Sequence, residues 1–335
     1  MTAPRYDVLG IGNAIVDVVA RTDDAFLLRH GLAKGAMTLI DAPRAEILYA
    51  AMPPAVETSG GSAANTIAAL ASLGGRGAFV GKVHGDQLGR VFRHDIRALG
   101  VAFDSRDSVG GAPTARCLIL VTPDAQRTMQ TFLGACVELG PDDVDPAAVG
   151  AAAVTYLEGY LWDPPGAQRA FVKAAQVAHA AGRLVALSLS DAFCVERHRE
   201  TFLELIENHV DILFANESEV IALTRAPGFD EALQAMRGRC SVAALTRSER
   251  GSVVVADGDV HVIDAVRPER LVDTTGAGDA YAAGFLFGLS RGQDLPICGR
   301  LGALAASEII AHVGARPQRP LKALAAPLLG PPLQV

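Results

Sequence analysis

Asp273-Thr-Thr-Gly-Ala-Gly-Asp-Ala-Tyr-Ala-Ala-Gly-Phe-Leu-Phe-Gly-Leu289 opens as a turn and continues as a helix. Arg270-Leu-Val272 before it reads as a strand, glycines at 276 and 278 open the turn, and the helical pattern starts near Ala280. Small residues let backbone amides converge, and a helix N-terminus adds partial positive charge, so the turn suits phosphate oxygens. Asp279 stands where the helix starts. It is either a chemically active carboxylate or an N-cap worth about 1 kcal/mol, and the stretch alone leaves both open.

Upstream, short apolar runs alternate with alanine-rich helical patterns. Tyr6 to Ile11, Ala78 to Gly81, Val154 to Leu157, Leu184 to Leu189, Ile212 to Phe214, Ala243 to Thr246 and Ser252 to Ala256 read as strands. Asn65 to Leu73, Gln168 to Ala181, Arg199 to Glu207, Glu217 to Leu223 and Asp230 to Arg237 read as helices. Buried strands alternating with helices predict an α/β fold with a mostly parallel sheet covered on both faces. Residues from about Ala14 to Pro43 and about Phe103 to Leu133 break this rhythm with alternating, turn-rich segments such as Ala115 to Val121. They predict a small second sheet, a lid attached to one domain spanning 1–335, in preference to two tandem domains.

With 50% hydrophobic and only 5% aromatic residues, the core must rest on Ala, Val, Leu and Ile, and a disordered chain is excluded. The formal net charge of −7, with no Lys/Arg-rich run, gives no electrostatic reason to bind nucleic acid. Cys117, Cys136, Cys194, Cys240 and Cys298 show no metal-ligand spacing, and an odd count suits reduced thiols better than a disulfide framework. The N-terminus lacks an apolar signal core, and the run Ala147 to Leu157 is too short to span a bilayer. A soluble, cytoplasmic protein with no membrane partner is the expectation.

Common nucleotide motifs fit poorly. After Gly10 and Gly12 the third glycine of a dinucleotide loop is replaced by Ile15, and Gly81-Lys82 lacks the upstream glycine of a Walker loop. The chain instead resembles the ribokinase/PfkB family of carbohydrate kinases, and within it the adenosine kinases. Asp273 to Ala280 is similar to the family's C-terminal signature, and Gly60-Gly-Ser-Ala-Ala-Asn65 with Gly81 and Gly85-Asp-Gln-Leu-Gly89 to its N-terminal one. Asn216-Glu-Ser-Glu219 resembles its Asn-x-x-Glu segment. Gly10-Ile-Gly-Asn-Ala-Ile-Val-Asp17, Leu187-Ser-Leu-Ser190 and Gly314-Ala-Arg-Pro317 also fit.

The resemblance implies a ribokinase-like fold and roles for individual residues. Asp279 would be the base that receives the acceptor hydroxyl proton, with the amides of Gly276, Ala277, Gly278 and Asp279 as the anion hole. Asp17 would accept hydrogen bonds from two sugar hydroxyls, with Asn13, Gly61, Ser62 and Asn65 completing the acceptor pocket, and Leu133 and Leu161 lying by the base. Asn65 could equally cap its helix, and Gly60-Gly61 could be an ordinary tight turn. Arg127 would reach over the phosphates, although an exposed hairpin arginine would look the same.

Asn216, Thr246, Gly251, Thr275, Ala303 and Ser307 would hold ATP, with His312 nearby. Glu219 would act on magnesium through water, against the plain alternative of a solvated helix face. Asp273, Thr275 and Gly314 would lie near a monovalent cation, potassium in some relatives. Relatives occur as monomers and as homodimers, and the sequence favours neither. Three functions stand at this point: a nucleoside kinase acting on adenosine, a kinase of ribose, fructose or a keto-deoxy sugar acid, and a non-catalytic nucleotide-binding regulator.

Overall fold

A computed structural model describes residues 3–124 and 126–329. The strands are β1 (Tyr6–Ile11), β2 (Ile15–Arg21), β3 (Met37–Leu39), β4 (Ala55–Gly60), β5 (Gly77–Val80), β6 (Ala115–Val121) and β7 (Arg127–Phe132). They continue with β8 (Ala152–Glu158), β9 (Leu184–Ser188), β10 (Ile212–Asn216), β11 (Val242–Thr246), β12 (Ser252–Ala256) and β13 (Asp259–Ile263). The helices are α1 (Asp24–Arg29), α2 (Ala42–Ala51), α3 (Ser62–Ser72), α4 (Gln87–Ala98), α5 (Pro146–Gly150) and α6 (Pro165–Ala180). After them come α7 (Ala192–His209), α8 (Glu217–Thr224), α9 (Phe229–Met236), α10 (Ala277–Ser290), α11 (Leu295–Ile309) and α12 (Leu321–Leu329).

Eight strands form the main sheet in the order β13-β12-β11-β10-β9-β8-β1-β5. From β5 to β11 every pairing is parallel, and β12 and β13 close one edge antiparallel. Alternate residues of each strand enter two cores. Val8, Val154, Ala186, Ile212 and Ala244 pack toward α3, α10 and α11. Leu9, Leu157, Val185, Leu213 and Ala243 pack toward α6, α7, α8 and α9. Burial on both faces is why these strands read as unbroken apolar runs.

The second sheet has the order β3-β7-β6-β2-β4. Its period-two pattern is plain in β2, where Val16, Val18 and Ala20 are buried and Ile15 and Asp17 turn to the opposite face. The buried face packs under α1, α2 and α4, through Phe26, Leu27, Leu48 and Phe92. This ribokinase-like arrangement matches the expected two sheets, with three local corrections. β4 joins the second sheet although it lies beyond 43; its exposed, polar start and glycine end conceal it in the sequence. Residues 103–114 supply loop and one isolated bridge, at Ser108, rather than strand. No strand forms at 270–272, where the chain is an irregular loop, and α10 starts at Ala277, not Ala280. Among the described residues no helix is long and apolar enough to cross a membrane, and all five cysteines are free.

Candidate active site

A cleft of about 720 Å³ lies between the C-terminal ends of the main strands and the open face of the second sheet. Five consecutive strand ends line it: Asn13 after β1, Glu158 ending β8, Ser188 ending β9, Asn216 ending β10 and Thr246 ending β11. That is where open α/β sheets place ligands, because the chain diverges to either side there. The second sheet contributes Ile15, Asp17, Met37, Leu39, Cys117, Ile119, Arg127, Met129 and Thr131.

The glycine-rich turn forms the floor. Gly276, not Asp279, is the N-cap of α10, and it adopts the left-handed region at φ +79°. A side chain there would also meet Ala315 at 2.6 Å. Asp279 is therefore the third helical residue, and the capping alternative falls away. Its carboxylate accepts from Ser62 Oγ (2.6 Å) and Asn65 Nδ2 (3.2 Å), both in the first turn of α3. Two helix N-termini thus converge on one carboxylate. The amide of Ala277 is committed to the Thr274 carbonyl at 3.2 Å. Helix geometry leaves the amides of Gly278 and Asp279 without an intrahelical acceptor, so an anion hole would rest on those rather than on Ala277.

Gly61 shows why α3 can start so close. At φ +97° its missing side chain would lie 2.1 Å from the Asn13 carbonyl oxygen. Asn13 is locked in turn by Glu158, which accepts from its Nδ2 (2.7 Å) and its backbone amide (3.3 Å) and from the Ala63 amide (2.8 Å). Glu158 is buried and escapes the sequence reading; its signal is a charged residue ending an apolar strand, Val154-Thr-Tyr-Leu-Glu158.

Burial governs the electrostatics. It pushes Asp279 and Asp17 up to about 6, against the nearby positive charge of Arg316 and, for Asp279, the bonds from Ser62 and Asn65. Burial likewise lifts Glu158 and Glu219 to about 7, opposed by their backbone donors. Four burial-shifted carboxylates gathered in one cleft make it the candidate site of the molecule. If Asp279 receives a proton in the reaction it must be ionised, and activity is then expected to fall as pH drops through about 6. A pH series of initial rates checks it; a flat profile down to pH ~5 would remove Asp279 as the titrating group.

Arg127 of β7 in the second sheet pairs with Asp273 of the loop before α10, and both side chains are largely buried. Asp273 also accepts from the amide (3.0 Å) and hydroxyl (2.7 Å) of Thr275 and from the Gly314 amide (2.9 Å). These residues form a turn already neutralised by a guanidinium rather than an open cation site. Asn216 caps α8 and donates from its amide (2.9 Å) and Nδ2 (2.5 Å) to Glu219, which lines the cleft. Glu219 is buried, so it is no solvated helix face.

Leu133 lines the cleft as expected, but Leu161 does not. The 3-10 turn Gly159–Trp162 points Leu161 into the core beside Trp162, fully buried, and presents Tyr160 to the cleft instead. Ser190, at φ +73°, holds the Tyr160 amide (3.0 Å), and the exposed ring of Phe193 lies on the same wall. Gly251, Ala303 and Ser307 also lie outside the lining. Gly251 precedes β12, while Ala303 and Ser307 are buried on α11. His312 is spent on Glu308 at 3.2 Å. Among the described residues no cluster of His, Cys, Asp and Glu has metal-binding geometry.

A carboxylate held in the first turn of a helix, beside free N-terminal amides and beneath a second sheet, suits the transfer of an anionic group to a hydroxyl. A model of the pfkB family of carbohydrate kinases matches residues 45–322. Adenosine kinase of Saccharomyces cerevisiae is 28% identical over 339 residues, spanning 94% of this chain and 96% of that protein. The crystal structure of adenosine kinase from Sinorhizobium meliloti has a TM-score of 0.88 at 56% identity, covering 96% of this chain and 98% of its own. The structure of a probable sugar kinase from Rhizobium etli has a TM-score of 0.88 at 50% identity, with the same coverage. The chain belongs to the pfkB family of carbohydrate kinases. It is a kinase that phosphorylates a hydroxyl group, and membership implies ATP as co-substrate and, as is typical of the family, magnesium.

Proposed function

We propose that this protein phosphorylates the 5′-hydroxymethyl of a nucleoside, adenosine first, with ATP as donor. The observation that carries this is the single network Ser62–Asp279–Asn65 at the N-terminus of α10, facing Asp17 across the same cleft. Asp17, with Asn13, Gly61, Ser62 and Asn65, would hold the ribose hydroxyls, since a carboxylate and amides match a polyol. Asp279 would orient the 5′-hydroxyl and receive its proton, while the Gly278 and Asp279 amides meet the transferring phosphoryl group. Asn216, Thr246 and Thr275 would line the ATP end, and Arg127 would leave Asp273 for the phosphates.

Magnesium neutralises phosphate charge when bound. Glu219, with both oxygens engaged by Asn216, fits a contact through water rather than direct ligation. The turn at Asp273, Thr275 and Gly314 is satisfied while Arg127 pairs with Asp273, so a monovalent cation would find a free carboxylate there only once Arg127 has left. The second sheet would act as the lid, excluding water that would otherwise consume ATP.

The apolar wall of Met37, Leu39, Ile119, Met129 and Leu133 opposite Tyr160 and Phe193 supports a flat base as part of the acceptor. Phe193→Ala and Tyr160→Ala should each raise the adenosine KM about tenfold, as loss of one aromatic contact predicts. They should leave ATP KM unaltered; equal changes in both would place these rings elsewhere in the reaction. The deciding experiment is an ATP-coupled panel of nucleosides and sugars. Fastest turnover of adenosine supports the reading, and fastest turnover of ribose or fructose, the reading suggested by the name of the Rhizobium etli relative, would replace it.

A further inference from the structure

Arg316 lies in the loop between α11 and α12, and none of the roles above uses it. Its guanidinium reaches two segments more than two hundred residues away. Nη1 donates to the Ala64 carbonyl (3.2 Å), and Nη2 donates to the Ser59 carbonyl and to Ser59 Oγ (3.0 Å). Ser59 lies near the end of β4 in the second sheet. From the other side, Asp95 of α4 accepts from the Ser59 amide (2.7 Å) and hydroxyl (2.6 Å). Ala64 lies in the first turn of α3, between Ser62 and Asn65, the two donors to Asp279.

Arg316 therefore grips both flanks of the Gly60-Gly61 turn through which the second sheet enters α3. Every acceptor it uses is a neutral oxygen, and its Nε is buried without a partner. Its charge is not consumed in a contact pair. It acts instead through space on Asp17 of β2, Asp95 of α4 and Asp279 of α10. Arg127 is a second positive charge that acts on Asp17.

We infer that Arg316 is a positioning residue for the acceptor end of the site, holding the Ser59–Ala64 turn so that Ser62 and Asn65 present Asp279, and setting its charge between Asp17 and Asp279. This rests on the reading that Asp17 and Asp279 receive the acceptor. A planar fork suits the task because carbonyls on two segments are bridged at once, which an ammonium serves less well.

The test uses full-length Arg316→Gln and Arg316→Lys, assayed with the acceptor that the unaltered enzyme phosphorylates fastest in the panel. A mistaken acceptor identity then shows in the unaltered enzyme, and a mistaken role for Arg316 shows only in the variants. Arg316→Gln is expected to raise acceptor KM and lower kcat, about tenfold or more each, because small misplacements of reacting groups are costly. ATP KM should stay within about twofold, since the ATP end is not gripped. Arg316→Lys keeps the charge and should recover most of kcat while acceptor KM stays raised about threefold or more. A purely structural role would lower the melting temperature and active fraction and leave the acceptor-to-ATP KM ratio unmoved; that result overturns the inference. If Arg316→Gln does not fold, calorimetric acceptor binding to Arg316→Lys decides, and an unchanged Kd overturns it equally.

Discussion

Asp279→Asn is expected to lower kcat by about a hundredfold or more while ATP binds with nearly unchanged affinity, because the base is lost and the phosphate-facing amides remain. The substitution is nearly isosteric. The oxygen of the introduced amide would still accept from Asn65, and its nitrogen would face the Ser62 hydroxyl, which accepts as readily as it donates. Stability should not fall either. Burial raises the Asp279 carboxyl from 3.8 to about 6, so between those values the folded protein holds more protons than the unfolded chain. Stability attributable to this group then declines as pH rises through that window, and its ionised form is held at a cost at neutral pH. The neutral amide removes that cost, and the melting temperature near pH ~7.5 should be equal or higher. Steady-state rates, ATP titration and thermal unfolding check the three parts. Retention of more than about a tenth of kcat would remove Asp279 from the role of base.

Asp17→Ala should act on the other substrate parameter. A carboxylate accepting from two hydroxyls contributes about 1.5–3 kcal/mol per bond, so the acceptor KM should rise about a hundredfold or more. The ATP KM should stay as it is, because Asp17 sits on β2 at the acceptor end. Like Asp279, Asp17 is pushed up to about 6 by burial, so neutralising it should not cost fold stability. Acceptor and ATP KM values measured side by side check this. An unchanged acceptor KM would detach Asp17 from sugar recognition.

Asp279 is legible in the sequence for a local reason, whereas Asp17 is marked only by the resemblance of Gly10 to Asp17 to the family's N-terminal block. Gly276 and Gly61 occupy backbone conformations and close approaches that favour glycine, so the turns that carry Asp279 and Asn65 leave a mark in composition. Strands β1, β8, β9, β10 and β11 are legible because burial on both faces demands continuous apolar runs. β4 is not, since a short polar edge strand has no such demand. Leu161 and Tyr160 show the limit most plainly. Adjacent residues in one 3-10 turn point opposite ways, and which one faces the cleft depends on how the turn seats against α6 and α7.

The glycine-rich turn and the apolar strands were determined by the sequence alone, because each rests on backbone geometry or hydrophobic periodicity within a few residues, while Asp17, Asn65 and the role of Asp279 were marked by resemblance to the family's motifs. Tertiary structure alone decided that Asp279 is held by Ser62 and Asn65 rather than capping its own helix. It also decided that Glu158 locks Asn13, that Arg127 neutralises Asp273, and that Arg316 reaches Ser59 and Ala64. These contacts join segments separated by more than a hundred residues, and their energy depends on burial and distance that no local pattern encodes.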